Sequence, residues 1–146
     1  MIRLGHAAGA ALAFVALLSV AAAAQAETIK LTSTLSGKNE VPPIETPAGG
    51  GAEMTLDTAT HTLAWTVTFQ GLSAELRAAH FHGQASVTEN APIVVPIAKR
   101  GDATPVKGSK VLTPEQAEAL LAGRWYINVH TATHPPGEIR GQVVRQ

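Results

Sequence analysis

The chain of 146 residues contains no cysteine, and this absence excludes a whole group of chemistries. Without a thiol there is no disulfide, no thiolate nucleophile, no iron–sulfur cluster and no zinc site with cysteine ligands. Any catalytic or metal chemistry must therefore come from histidine, carboxylate or hydroxyl side chains.

Charge is also scarce, and neither sign dominates. Charged residues make up 15 % of the chain, and 11 basic residues balance 11 acidic ones. A basic nucleic-acid-binding protein is therefore excluded, and nucleic acid is not expected as a partner. No Gly-x-Ser-x-Gly elbow is present, and the glycines at 49–51 lack the lysine and helix of a phosphate-binding loop.

The first 26 residues have the three-part pattern of a secretory signal peptide. Arg3 precedes an apolar, alanine-rich run at residues 7–20, and Ala24-Gln25-Ala26 provides a small-x-small cleavage site. A transmembrane anchor is the alternative, but the run is short and no basic stop follows it. We expect a domain of residues 27–146 that is periplasmic or secreted, with no membrane span after signal removal.

Alternation of apolar and polar residues dominates the rest of the chain and predicts an all-β fold. The predicted strands cover residues 28–36, 53–57, 62–70, 78–87, 93–98, 124–131 and 138–144. About seven short strands with polar outer faces are typical of an antiparallel β-sandwich or barrel. The expected core comprises Leu63, Trp65, Val67, Phe69, Trp125, Ile127 and Val129, and the loops are placed at 37–51 and 99–110.

One short helix is predicted after residue 113. Thr113 is a good N-cap, Pro114 fits the first helical position, and Gln116 completes a capping box. Gly123 is expected to end the helix.

Four motifs follow one another in the order found in the CHRD domain, and the chain resembles this family over residues 28–144. They lie at residues 39–43, 79–83, 123–131 and 134–142. The domain is named for chordin, an extracellular animal protein, and the resemblance is to bacterial exported single-domain members. It implies an immunoglobulin-like β fold and a secreted or periplasmic location.

Histidines are the candidate metal ligands. His80 and His82 are two residues apart on a predicted strand, so both project from the face opposite Phe81. If Ile127 and Val129 face the core, His130 projects from the outer face of its own strand. A His-x-His pair with one further histidine suits Cu(II) or Zn(II).

His134, four residues after His130, is a candidate fourth ligand or a residue that supports a ligand. The alternative is that these imidazoles bond to neighbouring strands or line a polar groove. Glu138 and Arg140, two residues apart, are predicted to form an ion-pair ladder. Glu40 is expected to anchor a loop by accepting backbone N–H bonds.

Three functions stay open at this point. The first is a non-catalytic, exported module that binds copper or zinc through His80, His82 and His130. The second is an extracytoplasmic protein-interaction scaffold without metal, whose loops at 37–51 and 99–110 recognise a partner through Ile44, Val106 and Val111. The third is a metal-dependent redox enzyme of the superoxide dismutase type, although a non-enzyme is favoured. The sequence identifies neither a protein partner nor an oligomeric state.

Overall fold

The computed structural model describes residues 26–146, which form nine β-strands and one α-helix. The predicted signal peptide lies outside the described residues except for Ala26. The strands are β1 Thr28–Ser36, β2 Gly49–Asp57, β3 Thr62–Gln70, β4 Leu76–Gly83, β5 Ile93–Lys99, β6 Val106–Val111, β7 Trp125–Thr131, β8 Ile139–Gln142 and β9 Val144–Arg145. The helix α1 spans Pro114–Leu121, and one 3₁₀ turn spans Gly37–Asn39.

All strand pairs are antiparallel, and eight strands follow the order β5-β4-β7-β8-β1-β2-β3-β6. The order divides into two groups of four, which meet where β8 pairs with β1 at Ser36 and Arg140. The short β9 pairs with β1 as well. The prediction of an all-β antiparallel sandwich or barrel with one short helix is confirmed.

The core lies between the two groups of strands. Trp65 of β3 and Phe81 of β4 meet edge to face with ring centroids 5.3 Å apart, and Phe81 in turn contacts Trp125 of β7. All seven expected core side chains are buried. Burial of large apolar side chains contributes about 1.5–3 kcal/mol each, so this shared core is what holds the two groups together.

The helix has the predicted capping box. Thr113 Oγ1 accepts a hydrogen bond from the Gln116 backbone N–H, and Gln116 Oε1 accepts one from the Thr113 N–H. Ala117 and Leu120 bury the apolar face of α1 against the core. In residues 26–146, no helix is both long and apolar enough to cross a membrane.

The prediction was wrong in part of its strand assignments: residues 49–51, placed in a loop, begin β2, and residues 84–87, placed in a strand, lie beyond the end of β4. Residues 106–111, placed in a loop, form the edge strand β6, which pairs with β3. Only Val106 is buried among its six residues, so β6 carries no apolar alternation to detect. The backbone of Gly108 in β6 packs directly against the Trp65 ring, and a Cβ atom at this position would collide with that ring. The strand predicted at residues 138–144 is divided in the structure into β8 and β9, and Val143 is buried between them.

Candidate metal centre

The candidate site lies on the outer face of two neighbouring strands, β4 and β7. Their register places His80 opposite Asn128 and His82 opposite Tyr126. Phe81, between the two histidines, is completely buried in the core. Because side chains alternate along a strand, His80 and His82 must share the other face.

The structure brings three of the four predicted ligands together. The ring centroids of His80 and His130 are 5.1 Å apart, and His82 lies 5.7 Å from His80 and 5.8 Å from His130. One potential ligand nitrogen from each ring lies within 4.8 Å of the others. His134 is outside this group and lines a neighbouring pocket instead.

Hydrogen bonds fix which nitrogen of two rings is free. His82 Nδ1 lies 2.9 Å from the Ala91 carbonyl oxygen, and His130 Nδ1 lies 3.0 Å from that of Pro135. A carbonyl oxygen only accepts, so each Nδ1 carries the proton and each Nε2 keeps its lone pair. Within the described chain, both Nε2 atoms and the Nδ1 of His80 are buried without a hydrogen-bond partner.

Burial keeps these imidazoles neutral. It lowers the pKa of His80 to about 4, with repulsion from His130 and His82 acting in the same direction. Burial also lowers the pKa of His82 and of His130, although the bond from each Nδ1 to a carbonyl opposes this. At neutral pH each of the three rings is therefore neutral and has one nitrogen with a lone pair, which is the state that ligates a metal.

A stack of side chains supports His82. The Tyr126 ring lies parallel to the His82 ring with centroids 4.9 Å apart, and the guanidinium carbon of Arg140 lies 3.6 Å from the centroid of the Tyr126 ring. The Tyr126 hydroxyl accepts a hydrogen bond from the Ala91 N–H at 3.0 Å. Ala91 also accepts from His82, so the loop at residues 84–92 and the stack hold one orientation of this ring.

Glu138 and Arg140 do not form the predicted ion pair. Glu138 accepts four hydrogen bonds from three loop or strand-end segments, through Thr46, Ser73 and Thr131. Arg140 instead donates to Asn90 Oδ1 and to the carbonyl oxygens of residues 86 and 89. Both side chains are buried because loops cover this face, and strand alternation alone does not reveal that cover.

Glu40 has a different partner from the one predicted. Its Oε2 accepts a hydrogen bond from the side-chain amide of Asn128 at 3.3 Å, where backbone N–H donors were expected. Burial raises the pKa of Glu40 to about 7, although the Asn128 bond and the charge of Arg140 act against it. Asn128 could have been placed on this face from the sequence, because it shares the outward phase of His130, but its contact with Glu40 could not.

Comparison with known proteins gives the family. The family model for the CHRD domain matches residues 31–143. Chordin of Xenopus laevis is 36 % identical over 121 residues, which cover 78 % of this chain and 13 % of chordin. The chain thus spans only a small part of that relative, and no solved structure matches. On the matched residues, the chain belongs to the CHRD domain family.

Proposed function

We propose that this protein is an exported, non-catalytic module that binds one Cu(II) or Zn(II) ion through His80, His82 and His130. The observation that carries the proposal is a cluster of three imidazoles, each with one buried ring nitrogen that has no hydrogen-bond partner and each with one nitrogen that lies within 4.8 Å of a nitrogen of the other two rings. Buried polar atoms are normally bonded, so three unpartnered ring nitrogens in one cluster favour a bound cation.

The donor set fits such an ion. Zinc binds imidazole nitrogen at about 2.0–2.1 Å, so tetrahedral ligand nitrogens lie about 3.4 Å apart. The ligand nitrogens lie within 4.8 Å of one another, so an ion would have to draw any wider pair to this spacing. The bonds from His82 to Ala91 and from His130 to Pro135 match the outer hydrogen bonds that orient metal-ligating histidines. An all-imidazole set favours Zn(II) or Cu(II) over Cu(I), and a bound ion would supply Lewis acidity at an open fourth position.

Titration of the tag-free protein with Zn(II) and Cu(II) tests the proposal. We expect His82→Ala and His130→Ala each to weaken the binding more than about 100-fold, since each removes a ligand. His61→Ala is the matched control, because His61 lies in the turn before β3 and outside the cluster. Binding weaker than ~10 μM in the wild type, or equal in all variants, would refute the proposal.

His134→Ala distinguishes a site with three histidine ligands from one in which His134 is the fourth. His134 lies outside the group of three, so we expect this variant to bind either ion as the wild type does. A loss as large as that of His82→Ala would make His134 the fourth ligand.

A protein-interaction scaffold is the second candidate, and family membership together with exposed apolar side chains favours it. Val87, Ile93 and Val111 are between 55 % and 64 % exposed, whereas Val106 is buried and not available for recognition. Capture from a periplasmic extract would compare the wild type with a variant carrying Val87→Ser, Ile93→Ser and Val111→Ser. Equal capture of the same proteins by both would count against this candidate.

The third function, a metal-dependent redox enzyme, remains a prediction that rests only on the histidine side chains as metal ligands. Superoxide consumption by the copper-loaded protein would support it only if His82→Ala abolished the activity.

A further inference from the structure

Arg140 is a buried positive charge close to the histidine cluster. Its side chain is 1 % exposed, and within residues 26–146 its guanidinium forms no ion pair. Its hydrogen bonds go to neutral oxygens, which are Oδ1 of Asn90 and the carbonyl oxygens of residues 86 and 89. A guanidinium stays protonated over the whole pH range in which proteins are folded, so this charge is permanent. Buried charges are usually paired, and an unpaired one acts on any ion that binds nearby.

Two contacts limit how far this charge lies from the proposed metal. The guanidinium carbon of Arg140 is 3.6 Å from the centroid of the Tyr126 ring, and that centroid is 4.9 Å from the centroid of the His82 ring. The two distances laid end to end are the greatest separation that the guanidinium carbon and the His82 ring can have. Since a ligated ion lies about 2.0–2.1 Å from the ring nitrogen, the ion and the charge of Arg140 are within about 12 Å of each other.

At this distance the charge of Arg140 acts on the site. Burial lowers the pKa of His82, and repulsion from His130 and from Arg140 acts in the same direction. The three ligand rings are neutral, so they cancel none of the charge of a bound ion. Two unit charges about 12 Å apart, at an effective dielectric constant of about 20, repel each other enough to change a binding constant about tenfold. A divalent ion feels this repulsion twice over, so its affinity falls about 100-fold.

We propose that Arg140 is a specificity-determining residue of the metal centre, which weakens the binding of divalent ions relative to monovalent ones. The proposal rests on the proposed function, because it needs an ion among His80, His82 and His130. Imidazole ligands favour Zn(II) or Cu(II), and the fixed charge of Arg140 opposes that preference. The centre therefore releases a divalent ion more readily than three histidines alone would.

Two variants at position 140 test the proposal, because both lose the guanidinium but only one keeps a positive charge. Arg140→Lys and Arg140→Gln are made in Glu40→Gln protein. In that background the carboxylate whose charge acts on Arg140 cannot change its protonation in response. Titration with zinc is expected to show about 100-fold tighter binding by Arg140→Gln than by Arg140→Lys. Equal affinity, or tighter binding by the lysine variant, would overturn the proposal.

Titration of the same two variants with Cu(I), in the absence of oxygen, separates charge from ligand position. A displaced ligand would change the affinity for both ions alike, whereas a lost charge acts only half as strongly, on a logarithmic scale, on the monovalent ion. We expect Arg140→Gln to bind Cu(I) about tenfold tighter than Arg140→Lys. An equal change for Zn(II) and Cu(I) would show that the variants move a ligand, and would overturn the proposal.

Asn90→Asp gives a test that leaves the buried arginine in place. Residue 90 is exposed, and its Oδ1 accepts a hydrogen bond from Arg140 Nη1 at 3.0 Å. A carboxylate at this position keeps that bond and offsets the positive charge, although water screens an exposed group in part. We expect zinc to bind about tenfold tighter than in the wild type, and unchanged affinity would overturn the proposal. If the wild type binds no zinc, the proposed function itself fails; if it binds zinc and these variants leave the affinity unchanged, only the role of Arg140 fails.

Discussion

Glu138 offers the sharpest test of how the loops around the site are held. Its side chain is completely buried just before β8, and it accepts bonds from Thr46 Oγ1 at 2.7 Å, Ser73 N at 3.0 Å, Ser73 Oγ at 2.9 Å and Thr131 Oγ1 at 2.7 Å. Four donors thus converge on one carboxylate. Burial acts to raise its pKa, but these bonds outweigh burial and leave the pKa below its usual value.

Two substitutions at this position should differ in cost. A hydrogen bond to a charged group contributes about 1.5–3 kcal/mol and one between neutral groups about 0.5–1.5 kcal/mol. In Glu138→Gln the NH₂ group can replace Oε2, because the two hydroxyls that face it can turn and accept. We expect this variant to lose about 2–3 kcal/mol of unfolding free energy. Glu138→Ala leaves the Ser73 N–H without any partner and should cost about 4–6 kcal/mol.

Urea unfolding followed by circular dichroism measures both losses. The carboxylate has a lowered pKa in the folded state, so its contribution is present above the unfolded value and disappears as pH falls through the folded one. The difference between wild type and Glu138→Gln should therefore shrink from pH 7 to pH 3. A Gln variant as stable as the wild type, or a difference independent of pH, would refute this account.

Three further predictions concern the core and the cluster. Trp125→Ala should cost about 3–5 kcal/mol in the same unfolding experiment, with or without metal, because it empties the centre of the core. The free energy of unfolding of metal-free protein should fall as pH decreases from 6.5 toward 4, because His80 binds a proton in the unfolded chain at a higher pH than in the folded one. His80→Gln should weaken this pH dependence. Chelator should lower the melting temperature of metal-loaded protein, because it removes the stabilisation of about 2.7 kcal/mol that the ion provides at a hundredfold excess over Kd. The β-sheet circular dichroism signal at 25 °C should stay unchanged. Loss of that signal would show that the metal is needed for folding.

Strand periodicity explains why part of the site could be predicted. Side chains alternate with a period of two, so burial of Phe81 is enough to place His80 and His82 together on the opposite face. The same reasoning places His130 outward. What it requires is only that one residue of each strand be recognised as core.

The loops over this face could not be predicted in the same way. Glu40 and Asn128 are 88 residues apart, and no periodic pattern links a proline-rich loop to a strand at that distance. The ion pair predicted for Glu138 and Arg140 failed for the same reason. Alternation gave them a shared face, but hydrogen-bond partners on distant loops determine what each side chain contacts.

The alternation of core and outward side chains along β4 and β7 has a consequence for how the sequence of such a domain can change. From Ala79 to His82 and from Trp125 to His130, the odd-numbered side chains are buried in the core, while the even-numbered ones are the three histidines, Tyr126 and Asn128. A substitution at an even position alters the chemistry of the outer face without removing an atom from the tryptophan-centred interior. Outward side chains can thus be exchanged one at a time on an intact scaffold, and one architecture can carry different surface chemistries.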